Sequence, residues 1–210
     1  MKLVIGNKNY SSWSLRAWLA VKASGHDFEE IHVRLRQPDS KAQILRWSPS
    51  GKVPCLIDNG LAIWDSLAIC EYLAEESPSL WPLDGAARAV ARSISAEMHS
   101  GFAALREHMS MDLQLLAPRK EYPAAVMADI RRIDQLWTDC RHDFATHGPY
   151  LFGEYSIADM MYAPVCFRFE SYGVQLSAVA DAYLQTMLEH PDMLEWKRGA
   201  LDEQELVAAS

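Results

Sequence analysis

Residues 51–67 read GKVPCLIDNGLAIWDSL and carry the clearest structural signal in the chain. Two apolar runs, Val53–Asp58 and Leu61–Trp64, are joined there by Asn59-Gly60. Because both turn residues tolerate positive φ, this pattern predicts a β-hairpin. Pro54 has no N–H to offer a sheet ladder, so we expect it at the first position of its strand.

The segments on either side of this hairpin predict a small mixed sheet with helices packed on it. Downstream, Ser66–Glu76 has the apolar spacing of a helix. The upstream segments predict a strand over Lys2–Ile5, a helix over Ser12–Ala23, a strand over Phe28–Leu35, and an irregular segment or short helix over Gln37–Arg46. Residues 1–80 are therefore predicted to form one α/β domain.

The remainder of the chain is helical by pattern. Residues 77–85 are predicted to be a linker, and no strand signal of comparable quality follows. The predicted helices are Ala86–Met109, Pro123–Ala145, Ser156–Tyr172, Ala178–Leu188 and Met193–Gly199. Residues 86–210 are therefore expected to form an all-α domain.

Composition excludes several classes of protein. Of 210 residues, 50% are hydrophobic and 23% are charged, which excludes disorder as the main state. No apolar stretch is long enough to span a membrane, and the N-terminal apolar run is too short for a signal peptide. The net charge of −8 falls entirely in residues 81–210, so the basic face that nucleic acid requires is not expected.

The four cysteines predict a reducing environment. Cys55, Cys70, Cys140 and Cys166 are scattered and form no C-x-x-C pair. This spacing argues against a zinc ribbon or a dithiol redox centre, and no metal site is expected. A cytoplasmic location is the expectation that follows.

Val53-Pro54 is the first candidate for ligand binding. A cis bond at this position would turn the Val53 N–H and C=O outward, where they could pair with an extended peptide. An ordinary trans turn is the alternative reading of the same residues.

Asp65-Ser66 is the second candidate, because it stands where a strand ends and a helix begins. The N–H groups at a helix N-terminus attract a carboxylate, and Asp65 could hold an ammonium group. The pair would fit the head group of an α-amino acid. The alternative is that Asp65 or Ser66 only caps the helix.

Ser11, Ser12 and Ser14 precede or begin the first helix, directly after the first strand. One of them is expected to be the N-cap, and a second hydroxyl could donate to a thiolate or an oxyanion at that positive helix end. No Ser/His/Asp triad is evident in the sequence, but a serine that only donates needs no base.

Ser156 and Asp159 have the spacing of a helix-capping box. We interpret this pair as a folding signal rather than as catalytic residues.

In this order and spacing, Gly-Lys-Val-Pro, Asp-Ser-Leu-Ala-Ile-Cys-Glu-Tyr-Leu and Ser-Ile-Ala-Asp resemble the soluble glutathione transferase family over nearly the whole chain. The resemblance implies a thioredoxin-like N-terminal domain and an all-helical C-terminal domain. Ser-Ser-Trp-Ser looks closest to the serine-type transferases, including the zeta class with its maleylacetoacetate isomerases. Glutathione as co-substrate, a homodimer and a role in detoxification are further implications.

The resemblance also implies roles for individual residues. Ser11, five residues before Arg16, matches the activating serine of the zeta pattern, and Ser12 matches the delta and theta spacing. The residues implied to bind glutathione are Lys52 at its glycyl carboxylate, Val53 with cis Pro54 at its cysteinyl backbone, and Asp65 with Ser66 at its γ-glutamyl head group.

The thiolate would attack a small electrophile in an adjoining apolar pocket. Tyr10, Trp13, Met109 and Met111 are the candidates for the wall of that pocket, and core or interface packing is their alternative reading.

Three departures from the family pattern bear on function. Position 65 is more often Glu or Gln in the family, Trp13 replaces the cysteine of the zeta motif, and no cysteine occupies position 11 or 12. The second departure weakens an isomerase assignment, and the third disfavours a glutaredoxin-like reductase. The leading hypothesis is a glutathione transferase. The alternatives are a glutathione-dependent cis–trans isomerase and a non-catalytic interaction protein.

Overall fold

The computed structural model describes residues 1–115, 121–145 and 147–203. Its strands are β1 (Lys2–Ile5), β2 (Glu29–His32), β3 (Cys55–Asp58) and β4 (Leu61–Trp64). Its helices are α1 (Ser12–Ser24), α2 (Ser40–Leu45), α3 (Ser66–Glu76), α4 (Gly85–Ser100), α5 (Ala103–His108), α6 (Ala124–Phe144), α7 (Ile157–Tyr172), α8 (Ala178–Leu188) and α9 (Pro191–Asp202), with a 3₁₀ turn at Pro78–Leu80.

The four strands form one mixed sheet in the order β2-β1-β3-β4. β1 pairs with β2 in parallel, and β3 is antiparallel to both β1 and β4. The β3–β4 hairpin turns at Asn59 and Gly60, whose φ angles are 47° and 84°. Both residues therefore adopt the positive φ that the sequence predicts, and the α/β character of the first 80 residues is confirmed.

The predicted strand over Phe28–Leu35 is wrong in length, because only Glu29–His32 pairs as a strand. The Val33 N–H still donates to the Ile5 carbonyl at 2.9 Å. Beyond it the chain turns, with Arg36 at a φ of 61°. This turn removes the last residues of the stretch from the sheet.

The prediction of one long helix over Ala86–Met109 is wrong, because the helix is interrupted at Gly101 and Phe102. Phe102 adopts a left-handed φ of 59°, which ends the α4 hydrogen-bond pattern. A Cβ atom on Gly101 would lie only 2.7 Å from the Glu97 carbonyl oxygen. The glycine therefore permits a close approach that any other residue would obstruct.

The predicted central helix is confirmed by α7, which is buried along nearly its whole length. It packs against α1, where the Arg16 Nε donates to the Met161 carbonyl at 2.8 Å. The Ser156/Asp159 capping box is present at its N-terminus. One continuous hydrophobic core joins the α1 side of the sheet to the C-terminal helices, and a smaller cluster around Val4 covers the other face.

The loop at residues 7–10, which leads into α1, is held by residues distant in the chain. The Glu203 carboxylate accepts from the Lys8 N–H at 2.6 Å and from the Asn9 N–H at 3.1 Å. The Trp196 indole donates to the Lys8 carbonyl at 2.9 Å, and the Asn9 side chain accepts from the Leu113 N–H at 2.8 Å. The C-terminal helical region therefore supplies several of the hydrogen bonds that fix this loop.

Among the helices that the structure describes, none combines the length and the apolar character that crossing a membrane requires.

Candidate functional site

A cavity of about 540 Å³ opens where the start of α1, the loop before β3, the start of α3 and the end of α4 meet. The residues that line it are Trp13, Ser50, Lys52, Val53, Pro54, Trp64, Asp65, Ser66 and His99. All five residues that the sequence predicts to bind glutathione are in this set. Of the predicted serines and pocket residues, only Trp13 is.

Val53 and Pro54 lie immediately before β3, joined by a cis peptide bond. Within the described residues, no backbone–backbone hydrogen bond reaches the Val53 N–H or C=O. Lys52 is exposed beside them, and its N–H donates to the Ser50 hydroxyl at 3.2 Å. The Val53 peptide groups are thus available to a ligand in the cavity.

Asp65 is the N-cap of α3, as the simpler interpretation of the sequence expects. One oxygen, Oδ1, accepts from the Leu67 and Ala68 N–H groups at 2.9 and 3.3 Å. Its φ of 76° turns the chain sharply from β4 into the helix. Capping uses only one carboxylate oxygen, so the other remains available for a further partner.

Ser66 is buried beside Asp65, with 1% of its surface exposed. Its hydroxyl has no hydrogen-bond partner among the described residues. A buried hydroxyl without a partner is costly, and it can be satisfied by a polar group that enters the cavity.

His99 contacts the second oxygen of Asp65. Its Nε2 lies 3.1 Å from the Asp65 Oδ2, and its ring meets the Trp13 ring edge-on at 5.2 Å between centroids. His99 lies in the last turn of α4 and so brings the helical region to the edge of the cavity. The sequence analysis missed this residue because nothing local distinguishes it within a helical stretch.

Ser11 and Ser12 lie at the N-terminus of α1, each with 6% of its surface exposed. Ser11 is the N-cap by position but makes no side-chain capping bond. Its hydroxyl donates to the Ser14 Oγ at 2.7 Å, and the same Oγ accepts from the Gly6 N–H at 3.0 Å. Neither Ser11 nor Ser12 is among the lining residues, so a role in thiol activation stays a prediction for both.

Trp13 lies against two arginines. The guanidinium carbons of Arg16 and Arg106 are 4.6 and 4.8 Å from the centre of its ring. Burial, together with the neighbouring Arg106 and Arg168, lowers the pKa of Arg16 well below its ordinary value. These three arginines donate to backbone carbonyls, and no carboxylate pairs with them in the described part of the chain. The side of the Trp13 ring that faces Arg16 and Arg106 is consequently in a cationic environment.

The other predicted pocket residues lie away from the cavity lining. Tyr10 contacts the Arg36 guanidinium, 5.1 Å from its ring centre. Met109 and Met111 are buried in the hydrophobic core, at 0% and 2% exposure. Met109 borders a different depression, next to Tyr122. Contact of these three residues with a substrate remains a prediction.

No three His, Cys, Asp or Glu side chains gather as a metal site in the described residues. The residues that line the cavity are mostly polar and aromatic. The cavity combines two free peptide groups, a helix N-terminus, a carboxylate, a lysine and two tryptophans.

Comparisons with known proteins agree with this geometry. Residues 10–76 match the family model described as the glutathione S-transferase N-terminal domain. The chain is 33% identical over 170 residues to a "Probable maleylacetoacetate isomerase" of Caenorhabditis elegans, covering 79% of this chain and 77% of that protein. It is 34% identical over 174 residues to the maleylacetoacetate isomerase of Rattus norvegicus, covering 79% and 76%.

The fold is also that of solved transferase structures. A glutathione transferase homologue from a Burkholderia, crystallised with bound glutathione, superposes with a TM-score of 0.70. That likeness covers 97% of this chain and 98% of the other at 22% identity, so it supports the fold alone. The identity and coverage of these relatives show the family: the chain is a zeta-like member of the glutathione S-transferases.

Proposed function

We propose that this protein is a glutathione transferase that binds glutathione in the 540 Å³ cavity and activates its thiol for attack on a small, apolar electrophile. The observation that carries the proposal is the gathering of Lys52, Val53, Pro54, Asp65 and Ser66 around one cavity. These residues form two short runs, 52–54 and 65–66, which the β3–β4 hairpin brings to the same cavity. Their groups complement an anionic tripeptide that carries one ammonium group.

Each part of glutathione has a proposed partner. The Val53 N–H and C=O pair with the cysteinyl backbone, and Lys52 approaches the glycyl carboxylate. The γ-glutamyl carboxylate binds at the N-terminus of α3 and accepts from the Ser66 hydroxyl, which has no partner among the described residues. The ammonium group donates to the Asp65 oxygen that does not cap the helix. Residues 1–80 thus provide the glutathione site, and we assign the second-substrate pocket to residues 86–210.

Activation requires a specific stabilisation of the thiolate. A free cysteine thiol has a pKa of about 8.5, and lowering it by about two units takes about 2.7 kcal/mol. A hydroxyl donor contributes about 1.5–3 kcal/mol to a charged group, and the N-terminus of α1 adds to it. Ser11 is our first choice for this donor and Ser12 the second. In Ser11, the hydroxyl must turn from Ser14 toward the sulfur.

Single and double Ser11→Ala and Ser12→Ala variants test this mechanism. We expect loss of the true donor to raise the pKa of bound glutathione by about one to two units, measured from the ultraviolet absorbance of the thiolate against pH. Turnover at neutral pH should fall about 10- to 100-fold in parallel. Full turnover in both single variants and in the double variant would contradict hydroxyl activation.

A second candidate function is the glutathione-dependent isomerisation of a maleyl compound. It is favoured by two relatives named maleylacetoacetate isomerase. Trp13 stands where the zeta motif has cysteine, so we expect little turnover of maleylacetone with glutathione. Turnover that equals or exceeds conjugation would make isomerisation the main activity.

A non-catalytic interaction role is the third candidate, and retention on immobilised glutathione distinguishes it. Retention supports the enzyme, and its absence supports the interaction protein.

We further propose a homodimer, because Leu61 and Trp64 on strand β4 are 55% and 49% exposed. A cytoplasmic location is proposed from the four free cysteines. Light scattering and cell fractionation test these two points.

A further inference from the structure

Among the described residues that line the cavity, His99 alone comes from the C-terminal helices. Its side chain is 27% exposed and lies between the Trp13 ring and the Asp65 carboxylate. The 3.1 Å contact between Nε2 and Oδ2 crosses from α4 to the start of α3. It is therefore a direct link between the helical region and the cap of the helix that faces the cavity.

The facing atoms of this contact are complementary. The Asp65 carboxylate only accepts, and an imidazole nitrogen that faces it serves as the N–H side of the pair. The other nitrogen, Nδ1, is buried and has no partner among the described residues. Asp65 is therefore the polar side chain that the described structure places against the His99 ring.

The contact with His99 adds a second restraint on the orientation of the Asp65 carboxylate. Oδ1 is held by the Leu67 and Ala68 N–H groups, and Oδ2 is held by His99. A carboxylate oxygen has two lone-pair sites, so Oδ2 keeps one for a second donor. With both oxygens anchored, that free site has a fixed direction and does not have to be ordered when a ligand arrives.

We propose that His99 is a positioning residue that orients the Asp65 carboxylate toward the α-ammonium group of glutathione. The pair thereby favours thiols whose γ-glutamyl group carries a free ammonium over those in which it is missing. This inference rests on the proposed function, because it assigns the ammonium to Asp65. It adds a residue outside the first 80 to the recognition of the γ-glutamyl head group.

Two substitutions separate the donor from the ring. His99→Phe keeps an aromatic ring against Trp13 and removes the donor, whereas His99→Gln keeps an N–H donor near Nε2 and removes the ring. His142→Phe is the matched control, because His142 makes a comparable 2.8 Å contact with Asp143 on the surface. Thermal unfolding of each variant verifies that it folds.

The ligands are glutathione and its des-amino analogue, glutaryl-cysteinyl-glycine, with binding measured by calorimetry. We expect H99F to weaken glutathione binding about five- to tenfold, and tenfold corresponds to about 1.4 kcal/mol. Binding of the analogue should change less than about twofold, because it lacks the ammonium group. H99Q should recover most of the loss, and H142F should equal the unchanged protein.

A double-mutant cycle gives an independent measurement. Asp65→Asn retains an acceptor that can cap α3 but removes the charge. In that background, adding H99F should change glutathione binding less than about twofold.

The outcomes separate the two proposals. If H99F weakens both ligands equally, or neither, while the unchanged protein binds glutathione, the positioning role is wrong and the proposed function stands. If the unchanged protein does not bind glutathione at all, the proposed function fails and this inference fails with it. Selective loss for glutathione together with recovery in H99Q supports the role.

Discussion

Asp159 is a fully buried carboxyl group whose ionisation should be visible in the stability of the protein. It accepts from the Leu151 and Ser156 N–H groups at 3.1 and 2.9 Å and from the Tyr183 hydroxyl at 3.0 Å. Burial raises its pKa from 3.8 to about 6, because these bonds offset the loss of hydration only in part.

The direction of the pH effect follows from this shift. Between pH 3.8 and about 6 the folded protein binds more protons at Asp159 than the unfolded chain does. The free energy of unfolding that this group contributes therefore falls as pH rises through that window. At about 1.4 kcal/mol per unit of pKa, the total change is about 3 kcal/mol. About half of it, roughly 1.4 kcal/mol, lies between about pH 5 and about pH 7.5.

Asp159→Asn removes the titration but not the side-chain volume. Its amide has one acceptor oxygen where the carboxylate has two, so one buried N–H loses its partner at every pH, at a cost of about 1–3 kcal/mol. We expect the unchanged protein to exceed D159N in stability by about 1.4 kcal/mol more near pH 5 than near pH 7.5. Urea unfolding at the two pH values measures this difference, because titrations elsewhere cancel between the two proteins.

A stability difference between the two proteins that stays constant with pH would refute this account. Such a constant difference would mean that hydrogen bonding offsets desolvation, because a folded-state pKa at or below 3.8 would change the stability only below about pH 5. Asp181→Asn, at an exposed position in the first turn of α8, is the control for the change of an aspartate to an asparagine.

Two further expectations concern stability and the thiols. Glu203→Ala should lower the free energy of unfolding by about 1–3 kcal/mol, because the Lys8 and Asn9 N–H groups lose a charged acceptor. Glu203→Gln should lower it less. Urea unfolding measures both variants, and equal stability of the two would contradict the structure. The four cysteines should resist alkylation in the folded protein, since all are buried and burial raises the pKa of Cys70 and Cys140 to about 12. Mass spectrometry after iodoacetamide treatment should show labelling only with denaturant. Rapid labelling of any cysteine in the native protein would contradict this expectation.

The features that could be predicted from sequence are those with a local cause. The hairpin at Asn59-Gly60, the cap at Asp65 and the capping box at Ser156 each depend on residues within a few positions of one another. The fold class followed because these local signals occur in a recognisable order. The family was confirmed for the same reason.

The features that could not be predicted depend on contacts between distant segments. The helix break at Gly101 and Phe102 was missed for a different reason, because the apolar pattern of a helix continues through it. His99 meets Asp65 only because α4 packs beside the start of α3, and neither segment signals the other. Met109 lies in the hydrophobic core, where apolar side chains are most often found, so its contact with a substrate stays a prediction.

The hydrogen bonds between Glu203 and the loop at residues 7–10 join distant parts of the chain, and they also bear on the order in which the fold forms during synthesis. The carboxylate that holds the Lys8 and Asn9 peptides belongs to a residue 195 positions later. During synthesis the first strand and helix can form early, but the loop between them acquires its two hydrogen bonds to Glu203 only after residue 203 is translated. A nascent chain that already contains all 80 N-terminal residues should therefore still lack this restraint on the approach to Ser11.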